Sequence, residues 1–130
     1  MTANRLSDFD TIQLQSGTYT LTLTTEGALV TTSDLRITGV PGAVIEGDAG
    51  WPHRILRGSN SDLELYQVAI RNGTATYGGC IDMQWGDLTL TLVEISGCTA
   101  TSNGGAVRPG SGYALTVDRS YIHANDAGEG

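Results

Sequence analysis

The same stretch of sequence is written twice between Asp62 and Tyr113, and that duplication limits the fold more than any other feature of the chain. Asp62-Leu63-Glu64-Leu65 opens one copy and Asp87-Leu88-Thr89-Leu90 the next. Each continues through Val-x-Ile (Val68 and Ile70, then Val93 and Ile95), Thr-Ala (Thr74-Ala75, then Thr99-Ala100) and a Gly-Gly start (Gly78-Gly79-Cys80-Ile81, then Gly104-Gly105-Ala106-Val107). The register extends to a leucine column at Leu35, Leu63, Leu88 and Leu115, spaced by 28, 25 and 27 residues. Further columns hold Ile70, Ile95 and Ile122, and Leu56, Ile81 and Val107. A period of this length marks a repeat architecture, in which units that cannot bury their own apolar faces share one core by stacking.

Each period contains three short runs with apolar residues at i and i+2, the rhythm of strands with one buried face. Helical spacing is not sustained beyond the first ten residues. The expected fold is all-β: a right-handed single-stranded parallel β-helix (solenoid), three short strands per coil, about four to five coils. An antiparallel sandwich also has short, regularly spaced strands. Meander strands, however, have no reason to restate the same residues every third strand. The chain reads as a single domain over residues 1–130, with a possible N-terminal cap at 1–10 that carries Leu6 and Phe9. Coils follow at 11–32, 33–61, 62–86, 87–113 and 114–130, the last incomplete. An unfinished coil leaves parallel edges open, so end-to-end homo-oligomers are expected.

Hydrophobic residues make up 39% of the chain, enough for a core, and a formal charge of −7 disfavours nucleic acid and anionic membrane as partners. No apolar run is long enough for a transmembrane helix, and residues 1–10 lack the pattern of a signal peptide. With two histidines, two cysteines and no CxxC, neither a metal site nor a cofactor is expected. Cys80 opens a third strand, whereas Cys98 sits in the turn after a second strand, in a column with Gly73 and Asn125. Different columns imply two free thiols and no disulfide.

Several columns carry polar residues. Arg57, Asp82 and Arg108 stack at spacings of 25 and 26, and Arg36 lies one coil from Glu64, so both sets read as ion pairs that hold the register. Asn125 suits a turn ladder, because asparagine tolerates left-handed backbone and bonds to main chain. The alternating Thr18-Tyr19-Thr20-Leu21-Thr22 would make a flat threonine array only if repeated on the next coil. That coil offers Arg36 and Thr38, so the array breaks. Asp48 to His53 forms a longer loop, which makes Trp51 and His53 ligand-binding candidates; a Trp51 folded over the loop base is the preferred alternative. Trp85 and Tyr113 precede the Leu88 and Leu115 strands as candidates for stacking a sugar ring, with shelter of the core corner preferred.

The runs Asp10-Thr11-Ile12-Gln13-Leu14, Gly17-Thr18-Tyr19-Thr20-Leu21, Asp34-Leu35-Arg36-Ile37-Thr38-Gly39, Ile70-Arg71-Asn72-Gly73-Thr74-Ala75 and Gly78-Gly79-Cys80-Ile81 resemble the parallel β-helix repeats of bacterial surface proteins. The similar types are those with an N-terminal CSLREA motif, which is absent here, and the polymorphic outer-membrane-protein repeats. The resemblance covers nearly the whole chain and implies a secreted or cell-surface location. It also implies a non-catalytic structural or adhesive role, with a polysaccharide or host surface as possible partner. The broader pectate-lyase-like fold includes polysaccharide lyases and hydrolases, which need gathered carboxylates and a basic group. Asp82, Asp87 and Glu94 near Arg108 are the catalytic candidates under that second reading. The acids Glu64, Asp82, Glu94 and Asp118 are expected to point outward on different strands or beside arginines.

Overall fold

The computed structural model describes residues 9–128, and among them every regular element is a β-strand. The first coil is β1 (Asp10–Gln13), β2 (Gly17–Leu21) and β3 (Leu29–Thr31); the second is β4 (Leu35–Thr38), β5 (Ala43–Gly47) and β6 (Leu56–Ser59). The third runs β7 (Leu63–Tyr66), β8 (Ala69–Arg71), β9 (Thr74–Ala75) and β10 (Ile81–Gln84). The fourth repeats it as β11 (Leu88–Thr91), β12 (Glu94–Ser96), β13 (Thr99–Ala100) and β14 (Val107–Arg108), and a fifth carries β15 (Leu115–Asp118), β16 (Tyr121–His123) and β17 (Asp126–Ala127). Strands pair with their counterparts in adjacent coils, always parallel: β1-β4-β7-β11-β15, β2-β5-β8-β12-β16 and β3-β6-β10-β14. The protein is a parallel β-solenoid of five coils. The Thr-Ala dipeptides, read from sequence as turns, pair into a fourth ladder, β9-β13-β17.

The apolar columns account for the stacking. Leu35, Leu63, Leu88 and Leu115 are successive Cα partners, as are Ile45, Ile70, Ile95 and Ile122, and Leu29, Leu56, Ile81 and Val107. In the middle coils these side chains are sealed from water, apart from the half-buried Leu35 and Val107, and full burial stabilises each by about 1.5–3 kcal/mol relative to exposure. At the fifth coil the same columns open: Leu115, Val117 and Ile122 are 39%, 46% and 41% exposed.

Corners are set by left-handed backbone repeated in register. Gln67, Leu92 and Arg119 follow β7, β11 and β15 at φ of 56°, 54° and 47°, and Asn72, Gly97 and Ala124 follow β8, β12 and β16 at 64°, 67° and 55°. Such backbone costs a side chain like Leu92 about 1–2 kcal/mol, so the stacked corner dictates the conformation, not the residue. Ahead of the leucine column, each aspartate reaches to the next coil. Asp34 Oδ1 accepts from Asp62 N–H at 2.9 Å, Asp62 Oδ1 from Asp87 N–H at 2.9 Å, and Asp87 Oδ1 from Ala114 N–H at 2.8 Å. These carboxylates satisfy backbone donors at the turns.

Two expectations are corrected. Cys80 and Cys98 form a disulfide with Cα atoms 5.4 Å apart. The column assignment itself holds, since pairing of Thr74, Thr99 and Asp126 places Cys98 between Gly73 and Asn125. What register alone omits is that the chain turns back between β9 and β10. Gly73 and Cys80 of one coil therefore face each other, and a Cβ added to Gly73 would meet Cys80 Sγ at 3.1 Å. Cys98, one coil beyond Gly73, reaches Cys80 diagonally. The second correction concerns Thr18 and Thr20, which pair with Val44 and Glu46, while Arg36 and Thr38 pair with Thr11 and Gln13. The threonine array still breaks after one coil. Of the expected cap, Leu6 lies outside the described residues, and the Phe9 ring lies 5.1 Å below the Arg36 guanidinium.

Candidate functional site

The β3-β6-β10-β14 sheet gathers a cluster of charges around Asp82. Pairing aligns Arg57 of β6 with Asp82 of β10 and Arg108 of β14, as the spacing predicts. Asp82, expected outward beside arginines, is 2% exposed, with the Arg108 and Arg54 guanidiniums against its carboxylate. Arg108 donates from Nε and Nη2 to the two carboxylate oxygens at 2.7 and 3.0 Å, a bidentate pair. Arg54, which spacing did not single out, enters from the loop before β6. Its Nη2 lies 3.8 Å from Asp82 Oδ2 while donating to the Tyr77 carbonyl at 2.9 Å, and its Nε donates to the Gly78 carbonyl at 3.4 Å. Arg57 is the odd member: the Nε of this strand neighbour of Asp82 is buried with no hydrogen-bond partner. An unmet buried donor costs about 1–3 kcal/mol, more when charged.

Two guanidiniums thus hold one carboxylate, and Arg57, expected from its column to pair with Asp82, is aligned with it in register but makes no ion pair to it. Burial pushes Arg54 below its ordinary value; Asp82 opposes this, and the charges of Arg57 and Arg108 add to it. Arg108 is held above its ordinary value, chiefly by the Asp82 hydrogen bonds. The Arg108 guanidinium also lies 4.8 Å from the centroid of the Tyr77 ring, a cation–π contact.

Two depressions flank the row. One, of about 440 Å³, is walled by Arg54 and Arg57, by His53, by the 25–28 loop and by Thr74 and Thr76. His53 Nε2 donates to the Thr24 carbonyl at 2.7 Å, which fixes its ring against that loop. The other, of about 330 Å³, is walled by Gln84, Trp85, Arg108 and Ser111. Both volumes fall in the range of small-ligand sites.

The remaining candidates divide. Trp51 is 4% exposed: its Nε1 donates to the Arg54 carbonyl at 3.2 Å, and its ring packs on Gly47, where a Cβ would collide with it. It covers the loop base and presents no surface to a ligand. Trp85 and Tyr113 do not shelter the corner; they are 57% and 45% exposed, with the Tyr113 ring and the Trp85 backbone both beside Gly110. Asp82, Asp87 and Glu94 are not brought together. Asp82 belongs to the third sheet, Asp87 bonds Ala114 N–H ahead of β11, and Glu94 sits on β12. There Glu94 accepts from His123 Nε2 at 2.8 Å and from Arg71 at 3.4 Å, and these contacts, the histidine bond first, lower its carboxyl below the usual value. Spacing missed this group too, although Arg71, Ser96 and His123 share one register position. Arg36 and Glu64 pair at 2.8 Å as expected, and Asn125 accepts from Cys98 N–H at 2.9 Å and donates to the Ile95 carbonyl at 3.1 Å. Asp118 pairs with Arg119 at 3.1 Å.

Among the described residues no three His, Cys, Asp or Glu side chains converge as a metal-binding set. Comparison with protein-family models, with curated proteins and with solved structures finds no match.

Proposed function

We propose that this chain is a non-catalytic β-solenoid module of a secreted or cell-surface protein, a rigid scaffold whose stacked side chains form an adhesive face. The state of Asp82 carries the reading. A general acid, base or calcium ligand needs a carboxylate free to reach substrate or metal, whereas this one is covered and held by Arg108 and Arg54. The Cys80–Cys98 disulfide supports an oxidising compartment. The assay is release of unsaturated uronides from pectin or alginate, with and without calcium. No product is expected; turnover abolished by Asp82→Ala in a folded variant would establish the lyase reading instead.

Self-association end to end belongs to the same proposal, because one observation favours it. Leu115, Val117 and Ile122 occupy columns that are sealed in the preceding coil by Leu88, Leu90 and Ile95. At the opposite end Ile12 and Tyr19 are exposed on the outermost strands β1 and β2. A second copy docked head to tail would continue the parallel ladders and bury these exposed side chains. Light scattering across a wide concentration range reads this directly: dimers or longer stacks are expected, and a monomer at high concentration refutes it.

A further inference from the structure

The covered Asp82 leaves a surplus of positive charge in an acidic protein. Of the seven arginines in the chain, Arg54 and Arg108 meet at this single carboxylate and Arg57 lies on the strand beside it. Arg108 is satisfied by its bidentate pair, and Arg54 is anchored on two carbonyls. Arg57 is neither: its Nε is buried and unpartnered, and the residue forms a wall of the larger depression. The same depression presents Arg54, His53 and the hydroxyl-bearing Thr25, Thr74 and Thr76, with Glu26 as the one acidic group on its wall. Burial and neighbouring cations both act against the charge on Arg54, so an added negative charge here would be favoured.

We propose that this depression is an oxyanion-binding site, with Arg57 the principal ligand, Arg54 the second, and the Thr74 and Thr76 hydroxyls as further donors. The ligand class is a sulfate or carboxylate, which the planar guanidinium fork of arginine matches in shape. Two sources share that chemistry: a free inorganic anion, and an acidic group on a sugar chain. A sugar chain extending along the stack toward Arg108 would reach the second depression, where the exposed Trp85 offers a surface on which a ring can stack. Arg57 and Arg108 are two strand spacings apart, about 9.5 Å. The site gives the proposed adhesive face a ligand class, and to that extent rests on that reading.

The test follows the arginine Nε–H resonances of the full chain by NMR, with the Arg57 signal assigned by its loss in Arg57→Lys. Titration with sodium sulfate is expected to move that signal saturably, and Arg57→Gln is expected to weaken binding at least tenfold while its melting temperature stays at or above that of the parent. Added neutral salt should weaken binding. Sulfated and uronate oligosaccharides then separate the sources. If either binds at least tenfold more tightly than the free anion, and Trp85→Asn removes the gain, the group is sugar-borne; asparagine tolerates the 60° φ at this position. If neither does, the site is one for a free anion. No movement of the Arg57 signal with any of these probes, or binding unchanged in Arg57→Gln, overturns the proposal. Cleavage of the uronate oligosaccharide would overturn the non-catalytic reading while leaving the anion site standing, so the two failures are distinguishable.

Discussion

Breaking the Cys80–Cys98 bond is the perturbation whose size the structure allows to be worked out. The cysteines are 18 residues apart in sequence, and the bond ties the start of β10 in the third coil to the turn before β13 in the fourth. In the chain-entropy account, closing a loop of this size removes about 11 cal/mol/K from the unfolded ensemble, or about 3 kcal/mol at 25 °C. The unfolding entropy of a chain this long is roughly 270 cal/mol/K near 60 °C, so the loss corresponds to a fall in melting temperature of about 11 °C. The measurement is a thermal melt followed by circular dichroism, with and without a phosphine reductant, and again for Cys80→Ala/Cys98→Ala. Before reduction the intact mass should be lighter than the sequence mass by two hydrogens. The double variant, which has no thiols to reduce, should not respond to reductant. An oxidised chain that melts within a degree or two of its reduced form would refute the reasoning, since the constraint would then be absent from the unfolded state.

Three further outcomes follow. Asp82→Asn should destabilise the fold by about 2–3 kcal/mol in urea unfolding, the low end for a broken buried pair because Arg54 and Arg108 remain 20% and 38% exposed; an unchanged midpoint would show that Asp82 is not what holds the arginines. Glu94 has a lowered carboxyl pKa in the folded state, so its pairing stabilises above its unfolded value near 4.5 and that contribution is lost as pH falls through the lower folded value. Glu94→Gln should therefore cost under about 1 kcal/mol at neutral pH, with the difference from the parent vanishing in acid; a gap that persists at low pH would contradict the assignment. Gly86→Ala would drive a Cβ into the Ser61 carbonyl of the adjacent coil, and loss of more than about 2 kcal/mol is expected from chemical denaturation, against a few tenths if the backbone can move aside.

Legibility in the sequence followed the direction of stacking. Parallel in-register pairing puts residue i of one coil against its equivalent in the next, so a repeat in sequence is already a set of contacts in space. Leu63 over Leu88, Arg36 beside Glu64 and Asp82 between Arg57 and Arg108 could all be read by counting. The Asp34-Asp62-Asp87 bonds were open to the same counting, because the residues recur at the same point of each period, but carboxylates read as solvated turn residues conceal their backbone partners.

Contacts that cross a coil rather than run along the stack could not be counted. Cys80 meets Cys98 because the chain doubles back between β9 and β10, and Arg54 meets Asp82 because a loop swings it over a neighbouring strand. The Arg54–Arg57 depression depends on the same loop paths. One side is a sheet position that the period predicts, and Thr74-Ala75 belongs to a repeated column, but the other walls come from 25–28 and 52–54, segments of irregular length with no shared column. Burial likewise needed the three-dimensional path: Trp51 and Trp85 are both loop or corner tryptophans in sequence, yet one packs on Gly47 and the other faces water. The sequence by itself determined the solenoid, its register and its core columns, since each is a period-long repetition of local choices. Only the tertiary structure decided which cysteines join, which carboxylate is silenced and where an unpaired guanidinium is left, because those depend on how far each turn carries the chain before the next strand begins.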